Sequence, residues 1–237
     1  MLAGLGVASA GAAMLEPGAS RDYVFVFIKT GPTTDLTDTE RQEAFAGHFS
    51  NMKRMAAAGE LLIAGPFGEP LAAPDHRGLF VIDAPSLDKG MAIAHTDPTT
   101  GLGVFVLEGF VFTTDRPLTE LPRLEREAEA ARLADPDATD EWAGRMYFLA
   151  TAPYADERLN ELSETQGVLI AGRLHGSGPD ADGDGSPDDQ VLAWLDATDA
   201  EIARATSHAG GDGDDEDDQP WTLHGWYGSA EVEMMAD

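Results

Sequence analysis

The tetrapeptide Leu62-Ile-Ala-Gly65 decides how this sequence is organised, because it recurs in the second half of the chain as Leu169-Ile-Ala-Gly172. A second pair, Asp83-Ala84 and Asp196-Ala197, follows the two tetrapeptides in the same order. Recurrence of short segments in a constant order is typical of a structural repeat. The sequence therefore predicts two tandem copies of one unit.

The first copy opens with a strand and a helix. Residues 22–29 are rich in β-branched and aromatic side chains, which predicts a strand buried on both faces. Thr37 and Glu40 form a capping box, and the helix that it opens is expected to end near Ala58, before Gly59. This helix carries one apolar stripe, formed by Phe45, Phe49, Met52 and Ala56.

The rest of the first copy contains three more strands and one helix. Strands are predicted at 61–64, closed by Gly65-Pro66, at 78–83 and at 104–112, and a helix capped by Ser86 extends through Ala94. In the second copy, 145–150, 169–172 and 221–227 repeat the strands. The order βαββαβ is that of a ferredoxin-like unit.

The predicted fold class is α+β, with two tandem ferredoxin-like domains. Domain 1 spans 22–114, a charged helical linker spans 115–143, and a degenerate domain 2 with acidic insertions spans 144–232. Each four-stranded sheet leaves one apolar face uncovered, and the other copy is the nearest partner. We therefore expect the two sheets to pair within the chain as an α/β-barrel of the dimeric type.

The composition is strongly acidic, with 43 acidic residues against 15 basic ones and a net charge of -28. Such a field repels nucleic acid. No apolar run of membrane-spanning length is present in the part expected to fold, so no membrane span is predicted. Residues 1–21 are interpreted as a leader or the remnant of an export signal, which favours an exported protein slightly over a cytoplasmic one. Further assembly into a homo-oligomer stays open.

Several segments together resemble the YciI-like (YCII-related) family of the dimeric α/β-barrel superfamily. They are His48-Phe-Ser-Asn51, the segment from Gly59 to Pro66, Asp83-Ala84, Thr96-Asp97-Pro98, and a Trp-Tyr-Gly-Ser-Ala segment at 226–230. The resemblance implies a ferredoxin-like fold, barrel pairing, and a cleft in which His48 and Asp97 form a catalytic dyad. It also implies lyase-like chemistry on chlorinated or hydroxylated aromatics in a few relatives.

His48 and Asn51 are expected on one flank of the first helix, beside the apolar stripe. A histidine held by a carboxylate suits general acid–base work near neutral pH. The alternative is a surface or capping histidine that only bonds a neighbour. The second copy has Ala155-Asp156 and Gly210 at the matched positions, so it lacks the dyad.

Five further residues are candidates for contact with a small-molecule ligand. Gly65 and Pro66 lie in the segment that resembles the family, and Ser229 follows Trp226 and Tyr227 near the end of the chain. The two aromatic residues are equally typical of a core or an interface.

An acidic insertion in the second copy has the spacing of a calcium loop. Asp180, Asp182, Asp184 and Asp188 stand at positions 1, 3, 5 and 9 of the loop, with Gly185 at position 6. The bidentate glutamate of an EF-hand is missing, because Val191 stands in its place. A structural calcium ion is therefore the only cofactor considered, and a solvated acidic loop is the alternative.

Two hypotheses of function follow from these patterns. The first is a small-molecule enzyme of lyase or isomerase type, in which His48 is the acid–base, Asp97 orients it, and Asn51 polarises the substrate. The second is a non-catalytic exported binding or assembly module, in which the second copy only closes the barrel.

Overall fold

The computed structural model describes residues 19–135, 144–176, 189–197 and 221–236. The first half contains four strands and three helices: β1 (Arg21–Thr30), α1 (Asp38–Ala57), β2 (Leu61–Gly68), β3 (His76–Ile82), α2 (Leu87–Ala94), α3 (Pro98–Gly101) and β4 (Phe105–Thr114). Thr37 caps α1 with the predicted capping box, and Ser86 caps α2.

A connecting segment and the second half follow. Their elements are a 3₁₀ helix (Leu118–Glu120), α4 (Leu121–Ala134), β5 (Gly144–Pro153), α5 (Asp156–Glu164), β6 (Val168–His175), β7 (Gln190–Leu195), β8 (Thr222–Ser229) and a second 3₁₀ helix (Ala230–Ala236). The predicted leader lies almost entirely outside the described residues.

All eight strands form one closed antiparallel barrel in the order β1-β3-β2-β8-β5-β7-β6-β4. Within the first half the order is β4-β1-β3-β2, and within the second it is β8-β5-β7-β6. In both halves the spatial order of the strands is fourth, first, third and second, if the strands are numbered from the start of each half. The predicted mixture of helices with an antiparallel sheet is confirmed.

Two seams join the halves. At the first, β2 pairs with β8 through Phe67 and Trp226. At the second, β4 pairs with β6, for example through Phe112 and Leu174. Each seam pairs the edge strand of one half with the edge strand of the other, so no strand of the barrel keeps an open edge.

The interior of the barrel is an aromatic core. Phe25 lies against Phe112 and Trp194, with ring centroids 6.3 and 6.0 Å apart, and Trp226 packs on Trp194 at 6.3 Å. Leu118 and Leu121 of the connecting segment are buried in the same core. The segment predicted as a linker therefore also contributes to the barrel.

One element differs from the sequence prediction. β2 does not close at Gly65-Pro66 but continues to Gly68, because its last two residues pair with β8 of the other half. The predicted apolar stripe of α1 is only partly buried: Met52 packs against core residues, whereas Phe49 is 58% exposed. Part of the stripe borders an open cavity, described below.

Among the described helices, none combines the length and the apolar character that a membrane crossing requires.

Gly65 and Gly172, the last residues of the repeated tetrapeptide, stand at the two seams. A Cβ on Gly65 would lie 2.1 Å from the carbonyl oxygen of Tyr227, and one on Gly172 would lie 2.4 Å from that of Thr113. Neither position has room for a side chain, since the opposing atoms are backbone. The repeated glycine thus permits the two halves to approach each other.

Gly65→Ala and Gly172→Ala should each destabilise the fold by about 2 kcal/mol or more, since the added methyl group forces the seam apart. Urea denaturation followed by circular dichroism measures this loss. Gly101→Ala is the control, because its Cβ would meet nothing within 4 Å, and it should change the free energy of unfolding by less than about 1 kcal/mol. Equal stabilities of all three variants would contradict the role of the seam glycines.

An aromatic stack adjoins the first seam and contains two histidines. The rings of His76 and His224 lie 5.0 Å apart, and Phe67 stacks on His224 at 4.5 Å. The backbone N–H of Ala72 donates to Nδ1 of His224. Burial, together with the nearby His76, lowers the pKa of His224 to about 4, so the folded protein holds this ring neutral.

The wild type should lose stability as the pH falls from about 6.5 to about 4, because the unfolded chain takes up a proton that folded His224 refuses. The expected loss from this group is about 3 kcal/mol. His224→Asn keeps an acceptor for Ala72 and removes the titration. The difference in unfolding free energy between the two proteins should therefore be constant above pH 7 and should shift in favour of the variant below pH 6. A constant difference throughout would contradict the assignment.

Candidate active site

His48 lies on the buried face of α1, between aromatic rings of the sheet. Its ring is nearly parallel to that of Phe80, with centroids 6.0 Å apart and an interplanar angle of 22°, and it meets Phe105 edge-on at 5.8 Å. The residue is only 8% exposed. These contacts fix the plane of the imidazole.

Asp97 accepts a hydrogen bond through Oδ2 from Nδ1 of His48. Its other oxygen, Oδ1, accepts from the backbone N–H of Thr99 at 3.0 Å and from its hydroxyl at 2.6 Å. Asp97 is the N-cap of α3, and it is 2% exposed. The carboxylate of Asp97 is thus fixed by the start of α3 through Oδ1 and contacts His48 through Oδ2.

The approach of α3 to α1 depends on a small residue. A Cβ on Gly47 would stand 3.1 Å from Cγ of Pro98, which is closer than an ordinary van der Waals contact. Because Gly47 precedes His48 on α1 and Pro98 follows Asp97, this close approach also brings the two polar side chains within hydrogen-bond reach.

The pKa of Asp97 results from opposing influences. Burial raises it, whereas the hydrogen bonds from His48 and Thr99 lower it, and the net result lies below the ordinary value of 3.8. Asp97 is therefore a carboxylate at neutral pH, and an acceptor-only group. His48 must then carry a proton on Nδ1.

A cavity of about 670 Å³ opens beside His48. The apolar part of its wall combines side chains of α1 with side chains of the sheet, namely Ile28, Phe45, Phe49, Met52, Leu79, Phe80, Val104 and Phe105. Its polar part contains His48 together with Thr30, Thr33, Thr34, Arg41 and Arg77. A large apolar cavity with a few polar groups is typical of a small-molecule site.

The second ring nitrogen of His48 is available to a ligand. Nε2 forms no hydrogen bond within the described part of the chain, and it is not among the fully buried polar atoms that lack a partner. With Nδ1 bonded to Asp97, Nε2 is the ring nitrogen left to contact a ligand. Its partner must then come from the cavity or from solvent.

Asn51 is close to the pair but does not line the cavity. Its Nδ2 donates to Oγ1 of Thr96 at 3.1 Å, and its Oδ1 accepts from Nε of Arg54 at 3.0 Å. Thr96 immediately precedes Asp97, so Asn51 ties α1 to the segment that carries the carboxylate. Its hydrogen-bonding groups are occupied by the protein.

The five residues predicted to contact a ligand divide into two groups. Gly65 and Pro66 line the cavity at His48. Trp226 and Ser229 instead line a separate cavity of about 200 Å³ with Glu125, and the hydroxyl of Tyr227 donates to the carbonyl of Gly144 at 3.0 Å. The structure therefore does not bring the Trp226–Ser229 segment into the cavity of His48, because that segment faces the seam. Its binding role stays a prediction.

The calcium loop lies outside the described residues, as do Asp180, Asp182, Asp184 and Asp188. Within the described ranges, no group of three or more His, Cys, Asp or Glu side chains is placed to hold a metal ion.

Sequence reasoning missed the aromatic and cationic residues that shape the cavity. Phe80 and Phe105 were assigned only to predicted strands, and Arg41 and Arg77 were not singled out. Helical spacing could have indicated Arg41, because this residue shares one face of α1 with Phe45, His48, Phe49 and Met52.

Comparisons with known proteins show which family the chain resembles. A family model described as the YCII-related domain matches residues 23–108. YjpA of Bacillus subtilis (strain 168), an uncharacterized protein, is 34% identical over 70 residues, which are 30% of this chain and 76% of that protein. The chain belongs to the YCII-related family. The predicted resemblance is thereby confirmed, and the matched residues 23–108 include both His48 and Asp97.

A solved structure extends the comparison to nearly the whole chain. A mutant chlorite dismutase from Candidatus Nitrospira defluvii superposes with a TM-score of 0.51 over 91% of this chain and 93% of that one, at 12% identity. At this identity the likeness concerns the fold alone. It supports a ferredoxin-like α/β-barrel that includes the second half, where the YCII-related match does not reach.

Asp97→Asn should lower the free energy of unfolding by about 2 kcal/mol at neutral pH, since the buried carboxylate loses its charge-assisted hydrogen bonds. Because the folded-state pKa of Asp97 is depressed, its stabilisation is present above the ordinary value and is lost as the pH falls through the folded value. The gap between wild type and variant should therefore narrow below about pH 4. Urea titrations from pH 7 to pH 3 measure it.

Asp35→Asn is the matched control, because Asp35 is exposed in the loop before α1 and should change stability by less than about 0.5 kcal/mol. A gap for Asp97→Asn that stayed the same at every pH would contradict the contribution of its charge.

Proposed function

We propose that this YCII-related protein is a small-molecule enzyme of lyase or isomerase type. His48 is the general acid–base, and Asp97 is a positioning residue that holds its tautomer. The substrate occupies the 670 Å³ cavity beside α1.

One observation carries the proposal: the buried His48–Asp97 hydrogen bond ends at a large apolar cavity. Nε2 of His48 has no hydrogen-bond partner in the described residues and is not among the fully buried unpaired atoms, so a molecule in the cavity can reach it. A carboxylate behind an imidazole keeps its proton on Nδ1 and raises the basicity of the other nitrogen. The arrangement therefore suits proton transfer to and from a bound molecule.

The proposed reaction balances without an oxidant or a reductant. Nε2 of His48 removes a proton from a carbon next to a carbonyl group. In an isomerase, the same proton returns to a different carbon of the molecule. In a lyase, the electron pair of the broken C–H bond forms a C=C bond, and a leaving group departs from the adjacent carbon with its own bonding pair.

Asn51 is assigned a different role from the one expected for it. Its side chain bonds Thr96 and Arg54, so we assign it to the support of the Asp97 segment and not to polarisation of the substrate.

We further infer that the two halves are two copies of one unit, with boundaries near 22–114 and 144–232, and that the second serves as scaffold. The equal strand order and the seam glycines Gly65 and Gly172 support this. Helix α5, Asp156–Glu164, has no histidine to match His48.

His48→Asn should lower kcat/KM by about 100-fold or more, since the variant lacks a general acid–base. Turnover is followed by NMR in heavy water with a panel of hydroxylated aromatics and lactones, where incorporation of deuterium reports proton abstraction directly. Asp97→Asn should lower kcat more than it raises KM, because it alters the orientation of the base and leaves the cavity intact.

The matched control is His95→Asn, which changes an exposed histidine at the end of α2 and should keep wild-type turnover. A second readout is the tautomer of His48 from nitrogen-15 chemical shifts, with the proton expected on Nδ1. Turnover that survives in His48→Asn, or a ring protonated only on Nε2, would rule out the proposed mechanism.

A further inference from the structure

The polar end of the His48 cavity has a charge opposite to that of the protein. The chain has a net charge of -28, yet no aspartate or glutamate is among the described residues that line the cavity, whereas Arg41 and Arg77 are. A positive lining in so acidic a protein is unexpected if the cavity binds neutral molecules.

Both arginines lack a carboxylate partner within the described part of the chain. The side chain of Arg41 forms no hydrogen bond there, and Nη1 of Arg77 donates only to the backbone carbonyl of His76, at 3.3 Å. Other arginines of this chain stand beside carboxylates, as in Arg21–Asp83 and Arg54–Glu60. Two guanidinium groups without counter-ions at one cavity therefore point to an anion that the protein itself does not supply.

The two arginines lie at the same end of the cavity. The backbone N–H and hydroxyl of Thr30, at the end of β1, both bond the carbonyl of Asp75, which precedes β3. This pairing places Arg77 beside the end of β1, and Arg41 lies in the first turns of the helix that follows β1. Thr33 and Thr34 of the intervening loop line the same region and offer hydroxyl groups.

The distance from this end to His48 fits a ring-sized molecule. Arg41 and His48 are two helical turns apart on one face of α1, which is about 10 Å along the helix axis. Between them the cavity is lined by Phe45, and Phe105 lies across from it, with ring centroids 5.8 Å apart. An aromatic or alicyclic body fits this apolar stretch.

A single negative charge fits better than a phosphate group. One N-terminal amide of α1 is engaged by the cap, because Thr37 accepts from the N–H of Glu40, and the carboxylate of Glu40 accepts from the N–H of Thr37. The first turn of α1 also contains two acidic side chains, Asp38 and Glu40, which oppose the binding of a doubly charged phosphate at this helix end. Two arginines with neighbouring hydroxyl groups match a carboxylate.

We infer that the cavity binds an aromatic or alicyclic carboxylate, with the carboxylate at Arg41 and Arg77 and the reacting carbon toward Nε2 of His48. The inference rests on the proposed function, because it assigns the substrate class of the same site.

Isothermal titration calorimetry with 2-naphthoate and its neutral isostere 2-naphthamide tests the inference on the full chain. Naphthoate should bind about tenfold more tightly than the amide. Its affinity should fall as the salt concentration rises, since the ion pairs are partly exposed. Arg41→Gln and Arg77→Gln should each weaken naphthoate by about threefold, and the double variant by about tenfold, with no change for the amide.

Lys53→Gln is the matched control, because it removes one positive charge from the same helix at the smaller cavity and should leave naphthoate binding unchanged. Equal affinity for acid and amide, no binding of either, or equal losses in Lys53→Gln and the arginine variants would overturn the inference. Inorganic phosphate that bound as tightly as naphthoate would also overturn it.

The outcomes separate this inference from the proposed function. His48→Asn should still bind naphthoate, because the carboxylate contacts the arginines. Arginine-dependent binding with full turnover in His48→Asn would uphold the inference and reject the mechanism. Turnover that depends on His48, together with naphthoate binding that does not depend on the arginines, would uphold the mechanism and reject the inference.

Discussion

Closure of the barrel at two seams is the constraint on which the remaining structure depends. Each half presents an edge strand and an apolar inner face that cannot stay in water, and only the other half offers both a complementary edge and a second apolar face. The pairing of β2 with β8 and of β4 with β6 satisfies the edges. The interior then fills with aromatic side chains such as Phe25, Trp194 and Trp226, which neither half could bury alone.

Because the inner faces of both sheets are buried in this core, only their outer faces can border a binding cavity. On the first half, the 20-residue helix α1 covers the sheet, yet it does not pack against it along its whole length. The space left between helix and sheet is the cavity that contains His48. On the second half the corresponding helix α5 has nine residues. The two halves thus share strand order but differ in what lies outside the strands.

Electrostatics divides the molecule in a similar way. The chain as a whole is strongly acidic. The carboxylate nearest to the cavity histidine, that of Asp97, is buried and accepts hydrogen bonds from His48 and Thr99. Within the described residues, the two guanidinium groups at the cavity, Arg41 and Arg77, have no carboxylate partner. Under the proposed assignment, these exposed cations would attract an anion to the cavity despite the repulsion expected from the protein as a whole.

The sequence by itself determined most of the strands and helices of the first half and the family, because these depend on local patterns: residues 22–29 as a strand, Thr37 and Glu40 as a helix start, and the repeated Leu-Ile-Ala-Gly segment. It also pointed to His48 and Asp97 through the family resemblance. It did not predict α3, the short helix capped by Asp97. Only the tertiary structure decided which surfaces meet. Part of the α1 stripe, including Phe49, lines a cavity, Asn51 is engaged by Thr96, and Trp226 lies inside the barrel, away from His48. The physical reason is that residue spacing along one helix or strand determines which side chains share a face. What packs against that face depends on the pairing of strands that are far apart in the chain.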